Sequence, residues 1–416
     1  MSTDRQTFCI VGGGGYLGWN LGQSLRNDGH SVRLFDIRFP ENDEKYEGML
    51  RIQGNILNKK SLREAVADCD GVFHLAAYGM TGRESVQDTL IYQVNVHGTK
   101  NVIEACRLQG VSRLVYASTT DVVWCDKVVH DATEQQMPYL QPHEHVDNYG
   151  RTKAIAEQIV LSSDNKSVEN ARKADEHTLR TCALRFHGIY GPGEMRTTQR
   201  VLTAIREGTV AVLYSAHKHE ATIQYVSGDN CVQACKLAYE ALGPQFSRGA
   251  CIAGGQAYFI VDGKPVHTFE FWKPAFERFN RAYPKTLAPY WLLYYVGWLL
   301  ELLCRVVPWE PLLTRKEVSH SGVTHTFSIG KARRHLGYEP LAADMHAVVD
   351  YYCKQVEPKL IANKAVTRYD RVLAVWPLVL GTLLVTLWLL THHWLVFVAF
   401  VMLLALCYYA LARYLL

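Results

Sequence analysis

The sequence predicts an α/β fold with a doubly wound parallel sheet, followed by a smaller mixed C-terminal lobe and a C-terminal transmembrane helical hairpin. Three observations support this prediction. Short β-rich runs alternate with helical stretches over residues 7–120, a glycine triplet follows the first predicted strand, and two uncharged apolar runs end the chain. Repeated βαβ alternation is typical of a parallel sheet with helices on both faces.

The composition is that of a globular protein. Of the 416 residues, 48% are hydrophobic and 20% are charged, which excludes a disordered chain. The net charge of +4 is small and the body of the chain holds no Lys/Arg block, so we expect no nucleic-acid partner. The eleven cysteines include no CxxC pair and the N-terminus shows no apolar leader, so we expect reduced cysteines in a cytosolic body.

The order of predicted elements divides the chain near residue 185. We expect residues 1–185 to form a dinucleotide-binding domain that carries the catalytic residues. Residues 186–360 should form a substrate-binding lobe, because the regular alternation fades there into turn-rich segments. The predicted strands are 8–11, 31–35, 51–53, 71–75, 113–117 and 181–185, with helices over 17–27, 60–67 and 95–109.

The C-terminal end carries two transmembrane candidates, residues 372–390 and 394–412. Each has 19 residues without a charge and reaches roughly 28 Å as a helix, close to the thickness of a bilayer's hydrocarbon core. Only three residues separate them, so we expect a tight hairpin. Two buried core helices or one long broken helix are the alternatives. Basic residues just before the hairpin place its ends in the cytosol.

Residues 290–308 form a further apolar and aromatic segment, but it contains Glu301 and Arg305. Burying such charges in a bilayer is unfavourable. We therefore interpret the segment as a helix that lies in the membrane interface or covers the substrate cleft. A core helix is the alternative.

A glycine triplet, Gly12, Gly15 and Gly18, lies directly after the first predicted strand and at the start of a helix. Glycine permits a tight turn there, close approach of the backbone to a pyrophosphate, and packing of the helix on the strand. The pattern therefore predicts a Rossmann-type dinucleotide site.

Asp36 ends the second predicted strand, 18 residues after Gly18. A carboxylate in this place binds the ribose 2′-hydroxyl and repels a 2′-phosphate, which favours NAD. Arg33 and Arg38 lie close by in the sequence, so NADP is the less favoured alternative. A simple turn role for Asp36 is the other interpretation.

Tyr149 and Lys153 have the i, i+4 spacing that places two side chains on one helix face. An ammonium close to a phenol lowers the pKa of that phenol, which makes Tyr149 a candidate general base for a substrate hydroxyl. Ser118 and Thr119 follow the fifth predicted strand, where ligands of doubly wound sheets bind. We expect one of these hydroxyls to hold the reacting oxygen; a turn or capping role is the alternative.

Seven motifs follow one another along residues 7–355. They are VGGGGYLG (11–18), GNI (54–56), VFHLAA (72–77), NVHGT (95–99), STT (118–120), YGRTK (149–153) and LRFHGIYGPG (184–193). Together they resemble the motifs of the extended short-chain dehydrogenases/reductases. AYGMTGR (77–83), RTCALR (180–185), GVTH (322–325) and the apolar tail make the chain most similar to the 3β-hydroxysteroid dehydrogenase/isomerase branch and its 42E-type members.

The resemblance implies a role for each motif residue. Tyr149 would be the acid/base, Lys153 the ribose-binding residue that tunes it, and Thr119 the hydroxyl partner, with Ser118 as the contender. The other implied cofactor contacts are Gly12, Gly15, Tyr16, Leu17 and Gly18 at the pyrophosphate, Asp36 at the ribose, Asn55 and Ile56 at the adenine, Leu75, Ala76 and Ala77 after the fourth strand, and Phe186 and His187 near the nicotinamide.

Three positions depart from the family pattern. Asn55 stands where the family usually has Asp, which weakens the adenine contact. Thr119 stands where Ser is more frequent, and its hydroxyl can serve. Phe186 and His187 replace a proline-containing pair, so we expect an altered nicotinamide pocket.

These observations predict a membrane-anchored, NAD-dependent alcohol dehydrogenase. Tyr149 takes the hydroxyl proton while the hydride leaves the substrate carbinol. The apolar segments imply a lipophilic substrate, which the resemblance suggests is a 3β-hydroxysteroid or sterol, and the endoplasmic reticulum is the expected membrane. The resemblance also allows a homodimer that forms through the helix of Tyr149.

Two other functions are alternatives to the dehydrogenase. One is a nucleotide-sugar epimerase or dehydratase, which would have a basic pocket in the second lobe. The other is an NAD(P)-sensing scaffold with vestigial catalysis.

The sequence favours no metal site. His143 and His145, and also His217 and His219, have an i, i+2 spacing but lack nearby cysteines and a set of carboxylate partners. We interpret all four as loop histidines. Asn165 begins a glycosylation sequon that a cytosolic body leaves unused.

Overall fold

A parallel sheet forms the centre of the molecule. The computed structural model describes residues 5–39, 47–171, 177–217, 219–243, 252–306, 311, 313–358 and 402. The strands in these ranges are β1 (Thr7–Val11), β2 (Ser31–Asp36), β3 (Leu50–Gln53), β4 (Gly71–His74), β5 (Arg113–Thr119), β6 (Val129–Ala132), β7 (Lys166–Ser167), β8 (Thr178–Phe186), β9 (Ile189–Tyr190), β10 (Leu213–Ser215), β11 (Thr222–Ile223), β12 (Val226–Ser227), β13 (Gln256–Ile260), β14 (Val266–His267), β15 (Leu287–Pro289) and β16 (His325–Phe327).

The strand order of the central sheet is β13, β8, β5, β4, β1, β2, β3. Each neighbouring pair is parallel, and the short β7 adds to β8 in the antiparallel direction. The six predicted strands are confirmed, and β13 joins them as a strand that the sequence pattern did not indicate. The order reverses between β1 and β4, and ligands of doubly wound sheets bind in the crevice at such a point.

Helices cover both faces of the sheet. The helices in the described ranges are α1 (Tyr16–Asn27), α2 (Lys59–Val66), α3 (Asp88–Tyr92), α4 (Thr99–Leu108), α5 (Asn148–Leu161), α6 (Thr198–Glu207), α7 (Gly228–Ala241), α8 (Lys273–Arg278), α9 (Tyr290–Val306), α10 (Arg315–Gly322), α11 (Gly330–Leu336) and α12 (Met345–Tyr351). The first sheet face packs against α1, α7 and α11, and the second against α2, α4 and α5.

Strand β1 shows why these residues form a buried central strand. Phe8 and Ile10 belong to the apolar core on the first face, and Cys9 and Val11 belong to the core on the second. Successive side chains of a strand point to opposite faces, so a run of four apolar residues fills both cores at once. The continuous apolar run is thus the pattern of a strand that is covered on both sides.

A smaller mixed lobe lies beyond β8. Its own core joins α6, α8 and α12 through Leu202, Phe276 and Val349. The predicted boundary at residue 185 falls inside β8, and the later segments α7 and β13 return to the central sheet. Residues beyond 186 therefore contribute to the sheet as well as to the lobe.

The apolar segment that begins at residue 290 forms α9, in which Glu301 pairs with Arg315 of α10 at 2.8 Å. No helix among the described residues has both the length and the apolar character needed to cross a membrane. The expected transmembrane segments 372–390 and 394–412 lie outside the described residues, apart from Met402. All nine cysteines in the described ranges are free thiols.

Candidate active site

The loop between β1 and α1 brings backbone atoms unusually close together. Gly12 has a φ of 95°, and its N–H donates to the Phe35 carbonyl of β2 at 2.8 Å. A Cβ on Gly18 would lie 2.2 Å from the Gly12 carbonyl oxygen, so only glycine fits where the helix meets the loop. Gly15 is the N-cap of α1 and supplies no side-chain acceptor to the first turn. A helix start of this kind favours a bound anion.

Asp36 lies at the carboxyl end of β2 and faces this loop. Its carboxylate accepts a hydrogen bond from the Gly14 N–H at 3.0 Å, and burial raises its pKa despite that bond. Arg38 lines the same cavity as Asp36, whereas the Arg33 guanidinium donates to the Ala65 carbonyl at 3.2 Å and lies outside the cavity wall. Of Arg33 and Arg38, only Arg38 is therefore placed to contact a substituent on the ribose.

One cavity of about 2310 Å³ runs from the glycine loop into the second lobe. Asn55 lies in its wall, and its side-chain oxygen accepts a hydrogen bond from the Leu57 N–H at 2.9 Å. The amide thus holds the turn after β3 in shape. The cavity wall includes every sequence-predicted site residue, namely Gly12, Gly15, Tyr16, Leu17, Gly18, Asp36, Asn55, Ile56, Leu75, Ala76, Ala77, Ser118, Thr119, Tyr149, Lys153, Phe186 and His187.

Tyr149 and Lys153 lie one turn apart on α5, as their spacing predicts. The helix begins after Asp147, whose side chain accepts the Gly150 N–H at 2.8 Å. Both side chains are buried, and Lys153 is 2% exposed. The Lys153 ammonium donates to the Ala117 carbonyl at 2.6 Å. This hydrogen bond connects α5 to β5 and helps to position Tyr149 next to the carboxyl ends of the strands.

The electrostatics of this pair differ from the expectation. We expected Lys153 to lower the pKa of Tyr149, but burial raises that pKa to about 12. The main charge that opposes the rise is the Lys316 ammonium of α10, which lies 4.3 Å from the centroid of the Tyr149 ring. Burial also lowers the pKa of Lys153 to about 7. The expectation was wrong because it counted one neighbouring charge and ignored desolvation of both groups.

The two hydroxyls after β5 have different partners. Ser118 donates to the fully buried Glu157 of α5, whereas the Thr119 hydroxyl accepts the Asp121 N–H at 3.3 Å. Adjacent strand residues point to opposite faces. Both residues line the cavity, but the Ser118 hydroxyl donates its proton to the Glu157 carboxylate, whereas Thr119 retains its proton for donation.

Helix α10 adds charged groups that the sequence analysis missed. Lys316 pairs with Asp121 at 2.5 Å and with Asp147 at 3.4 Å, and His320 contacts Asp121 at 3.0 Å. Although burial alone would raise the pKa of Asp121, Lys316 and His320 hold it well below its ordinary value. Asp121 directly follows the hydroxyl run, so its position could have been noticed. No local pattern links it to α10, which lies far along the chain.

His187 lies at the cavity wall after β8, next to a second buried histidine. Its Nδ1 is 2.8 Å from the Thr120 hydroxyl, and its Nε2 is 2.8 Å from Nε2 of His325. Burial lowers the pKa of His187 well below its ordinary value and that of His325 to about 3. Both rings are thus neutral at physiological pH.

Part of the cavity wall in the second lobe is apolar. Residues of α9 face into it from one side, and aromatic residues of the lobe core face it from the other. The apolar side chains in this part include Ile223, Tyr225, Phe269, Phe276, Leu293, Val296 and Leu300. A ligand that reaches from Tyr149 into the lobe therefore meets these apolar side chains, while Arg200, Arg206 and Arg281 line other parts of the same wall.

Comparison with known proteins shows which sequences this chain is similar to. The model of the 3-beta hydroxysteroid dehydrogenase/isomerase family matches residues 9–288. The short-chain dehydrogenase/reductase family 42E member 1 of Macaca fascicularis is 41% identical over 356 residues, which cover 84% of this chain and 88% of the relative. A 3-beta-hydroxysteroid dehydrogenase of Mycolicibacterium neoaurum is 32% identical, with 84% and 91% covered.

The fold is shared with nucleotide-sugar enzymes. The UDP-glucose 4-epimerase of Thermus thermophilus, solved as a complex with NAD, superposes with a TM-score of 0.61 at 20% identity and covers 84% of this chain and all of the epimerase. At this identity the likeness shows the fold alone.

Proposed function

Because this chain belongs to the 3-beta hydroxysteroid dehydrogenase/isomerase family, we propose that it oxidises a hydroxyl group of a lipophilic substrate, a 3β-hydroxysteroid or sterol. One observation carries the proposal: Tyr149, Lys153 and Thr119 lie in the wall of the cavity that also contains the glycine loop and Asp36. A proton acceptor and a dinucleotide site in one cavity are what such an oxidation needs.

The cofactor is NAD. The residues present fit it: the uncapped start of α1 suits the pyrophosphate, and the Asp36 carboxylate suits the adenosine ribose. A Cβ at Gly14 would lie 2.3 Å from the Arg38 carbonyl oxygen and 3.1 Å from the Asp36 carboxylate, so only glycine fits at this position. Bound here, NAD would supply the hydride acceptor that the oxidation needs.

The side chains of the site handle the proton. Tyr149 takes the substrate hydroxyl proton onto its phenol oxygen, and Thr119 donates a hydrogen bond to the reacting oxygen. Because burial raises the pKa of Tyr149 to about 12, the phenolate needs nearby positive charge. Lys316 supplies such charge at the ring face, and the Lys153 ammonium lies one helical turn below.

The apolar part of the cavity wall supports a lipophilic substrate. Its hydrocarbon and aromatic lining stabilises an apolar ligand through burial, at about 25 cal/mol for each Å² removed from water. Several side chains on the outward side of α9 are strongly exposed, namely Trp291, Tyr295, Trp298 and Leu302. An amphipathic aromatic surface of this kind suits a membrane interface. We propose that the body is anchored at the endoplasmic reticulum by residues 372–390 and 394–412, facing the cytosol.

A nucleotide-sugar substrate is the alternative, and the charges of the second lobe argue against it. Arg200 pairs with Glu317 at 2.9 Å, and Arg206 pairs with Glu357 at 2.5 Å. Arg281 donates to the Arg206 carbonyl at 2.6 Å. These cavity arginines already have partners, so a diphosphate would have to displace them.

The test is NADH formation, followed by absorbance, by the full chain in detergent with NAD and a panel of hydroxysteroids, sterols and UDP-sugars. Tyr149→Phe should abolish turnover and retain NAD binding in calorimetry. Tyr92→Phe, which changes a half-exposed tyrosine away from the cavity, is the matched control and should keep both. Turnover of a UDP-sugar alone would replace the steroid proposal. NAD binding without any turnover on the panel would favour a sensing scaffold.

A further inference from the structure

Three histidines that are far apart in the sequence meet beside the cavity. His187 follows β8, His320 lies on α10 and His325 lies on β16. One ring nitrogen of each lies within 4.8 Å of those of the other two. Within the described ranges, this is the one group of three or more His, Cys, Asp or Glu side chains that could hold a metal ion. We call these three residues the histidine cluster.

The hydrogen bonds assign the lone pairs of the two buried rings. Nδ1 of His325 lies 2.7 Å from the Val323 carbonyl oxygen, which can only accept, so His325 carries its proton on Nδ1 and its lone pair on Nε2. Nε2 of His187 is 2.8 Å from Nε2 of His325 and donates to its lone pair. His187 therefore accepts the Thr120 hydroxyl at Nδ1. The two Nε2 atoms point at each other across a gap that a single proton bridges.

Each ring has a polar neighbour. His325 is held by a backbone carbonyl and His187 by the Thr120 hydroxyl, and Nε2 of His320 lies 3.0 Å from the Asp121 carboxylate. Carbonyl, hydroxyl and carboxylate partners of this kind orient the histidines of metal sites and make their free nitrogens more basic.

The charge around the cluster favours a cation. Lys316 is the nearest ammonium, but Asp121 at 2.5 Å and Asp147 at 3.4 Å both pair with it. Two carboxylates against one ammonium leave a net negative charge next to His320. His187 and His320 line the large cavity, so an ion has an aqueous path to the cluster.

From this geometry we infer that the histidine cluster is a binding site for a divalent transition metal of the zinc class. Three imidazole nitrogens would bind the ion, and a water molecule from the cavity would take the fourth position, as in open zinc sites. Binding moves the His187 proton from Nε2 to Nδ1, where it is donated to the Thr120 oxygen, so no proton is released. The three ligands come from separate segments of the chain, so no spacing pattern in the sequence indicates them.

Zinc titration of the full chain in detergent, after removal of metal with a chelator, tests the inference. We expect one saturable Zn²⁺ site per chain, measured by competition with a chromophoric chelator. His320→Gln should weaken it at least about tenfold. His320 is partly exposed, so this variant should fold, and retained NAD binding in calorimetry checks that it does.

The double variant His217→Gln/His219→Gln is the matched control and should bind Zn²⁺ like the wild type. Binding at cysteines would not respond to His320→Gln, so equal affinity of that variant and the wild type overturns the inference. Absence of a saturable site in the wild type overturns it as well. Both results concern Zn²⁺ affinity and not steroid turnover. The metal site and the proposed function are therefore tested by separate measurements.

Discussion

The Lys316 ammonium lies 4.3 Å from the centroid of the Tyr149 ring, although the two residues come from helices α10 and α5, far apart in the chain. Lys153, the lysine of the YGRTK motif, instead donates to the Ala117 carbonyl at 2.6 Å. In this structure the charge that most strongly lowers the pKa of the candidate acid/base therefore comes from outside the motif. The position of α10 therefore influences the pKa of Tyr149.

Replacing Lys316 by methionine should move the pH dependence of oxidation. Without the ammonium, the pKa of Tyr149 rises further, so the rising limb of the pH–rate profile should shift upward by about one unit or more. The measurement is kcat/KM for the oxidised alcohol between pH 6 and 10. Lys331→Met is the matched control, because its ammonium lies 4.9 Å from the centroid of the Tyr258 ring, away from Tyr149. An unchanged profile for Lys316→Met would contradict the role.

Asp36→Asn should reduce the preference for NAD over NADP. The amide keeps an oxygen for the Gly14 N–H but removes the charge that repels a 2′-phosphate, and Arg38 lies beside it in the cavity. We expect the ratio of NADH to NADPH affinity to fall about tenfold or more. Fluorescence titration with both dinucleotides measures it without a substrate. Asp28→Asn, which alters a surface pair with Lys236, should leave the ratio unchanged.

Gly18→Ala should destabilise the protein and weaken NAD binding together. The new Cβ would lie 2.2 Å from the Gly12 carbonyl oxygen, so the loop must shift, at a cost of about 1–3 kcal/mol. Gly15→Ala is the control, since its Cβ would be no closer than 3.4 Å to another atom. Thermal unfolding should show a clearly larger drop in Tm for Gly18→Ala. Equal drops for the two variants would mean that the close contact does not matter.

The sequence predicted well those features that depend on contiguous residues. The glycine loop, Asp36 and the Tyr149/Lys153 pair each follow from a spacing within one strand–helix unit, and the cavity wall contains all of them. Thr119 was favoured over Ser118 by resemblance. The structure adds a physical reason to prefer Thr119. Side chains of adjacent residues on β5 point to opposite faces, and the Ser118 hydroxyl points to Glu157 and donates to it.

Other features depend on burial or on distant contacts, and no spacing reveals them. The pKa of Tyr149 depends on desolvation, which a sequence does not show. Lys316 and His320 reach Asp121 only because the fold brings α10 next to the turn that follows β5. Strand β13 was missed since its apolar run lies in a region of turns, where edge pairing with β8 decides its structure.

Lys153→Met should change the pH dependence of stability in the protein without NAD. Burial lowers the pKa of Lys153 to about 7, whereas in the unfolded chain the amine titrates at about 10.4. Between these values the unfolded chain holds a proton that the folded protein has lost, so wild-type stability gains with rising pH. The variant lacks this gain. Its Tm should exceed that of the wild type at pH 7, and the difference should shrink towards pH 10.

The control for this measurement is Lys59→Met, since Lys59 is half-exposed and pairs with Glu104 on the surface. Its Tm difference from the wild type should stay nearly constant over the same range. A Tm difference for Lys153→Met that does not vary with pH would show that the folded protein keeps Lys153 protonated throughout.

Glu157→Gln should be the most destabilising of these changes. Glu157 is fully buried and accepts hydrogen bonds from Arg185 at 2.6 Å, from the Tyr139 hydroxyl at 2.7 Å and from Ser118. Removing its charge leaves the Arg185 guanidinium buried without a counter-charge, at a cost of roughly 3–5 kcal/mol in the free energy of unfolding. Asp350→Asn is the control, because Asp350 pairs with Arg278 on the surface and should cost less than about 1 kcal/mol. Denaturant unfolding of both variants measures the difference, and similar losses would show that the buried pair contributes no more than an exposed one.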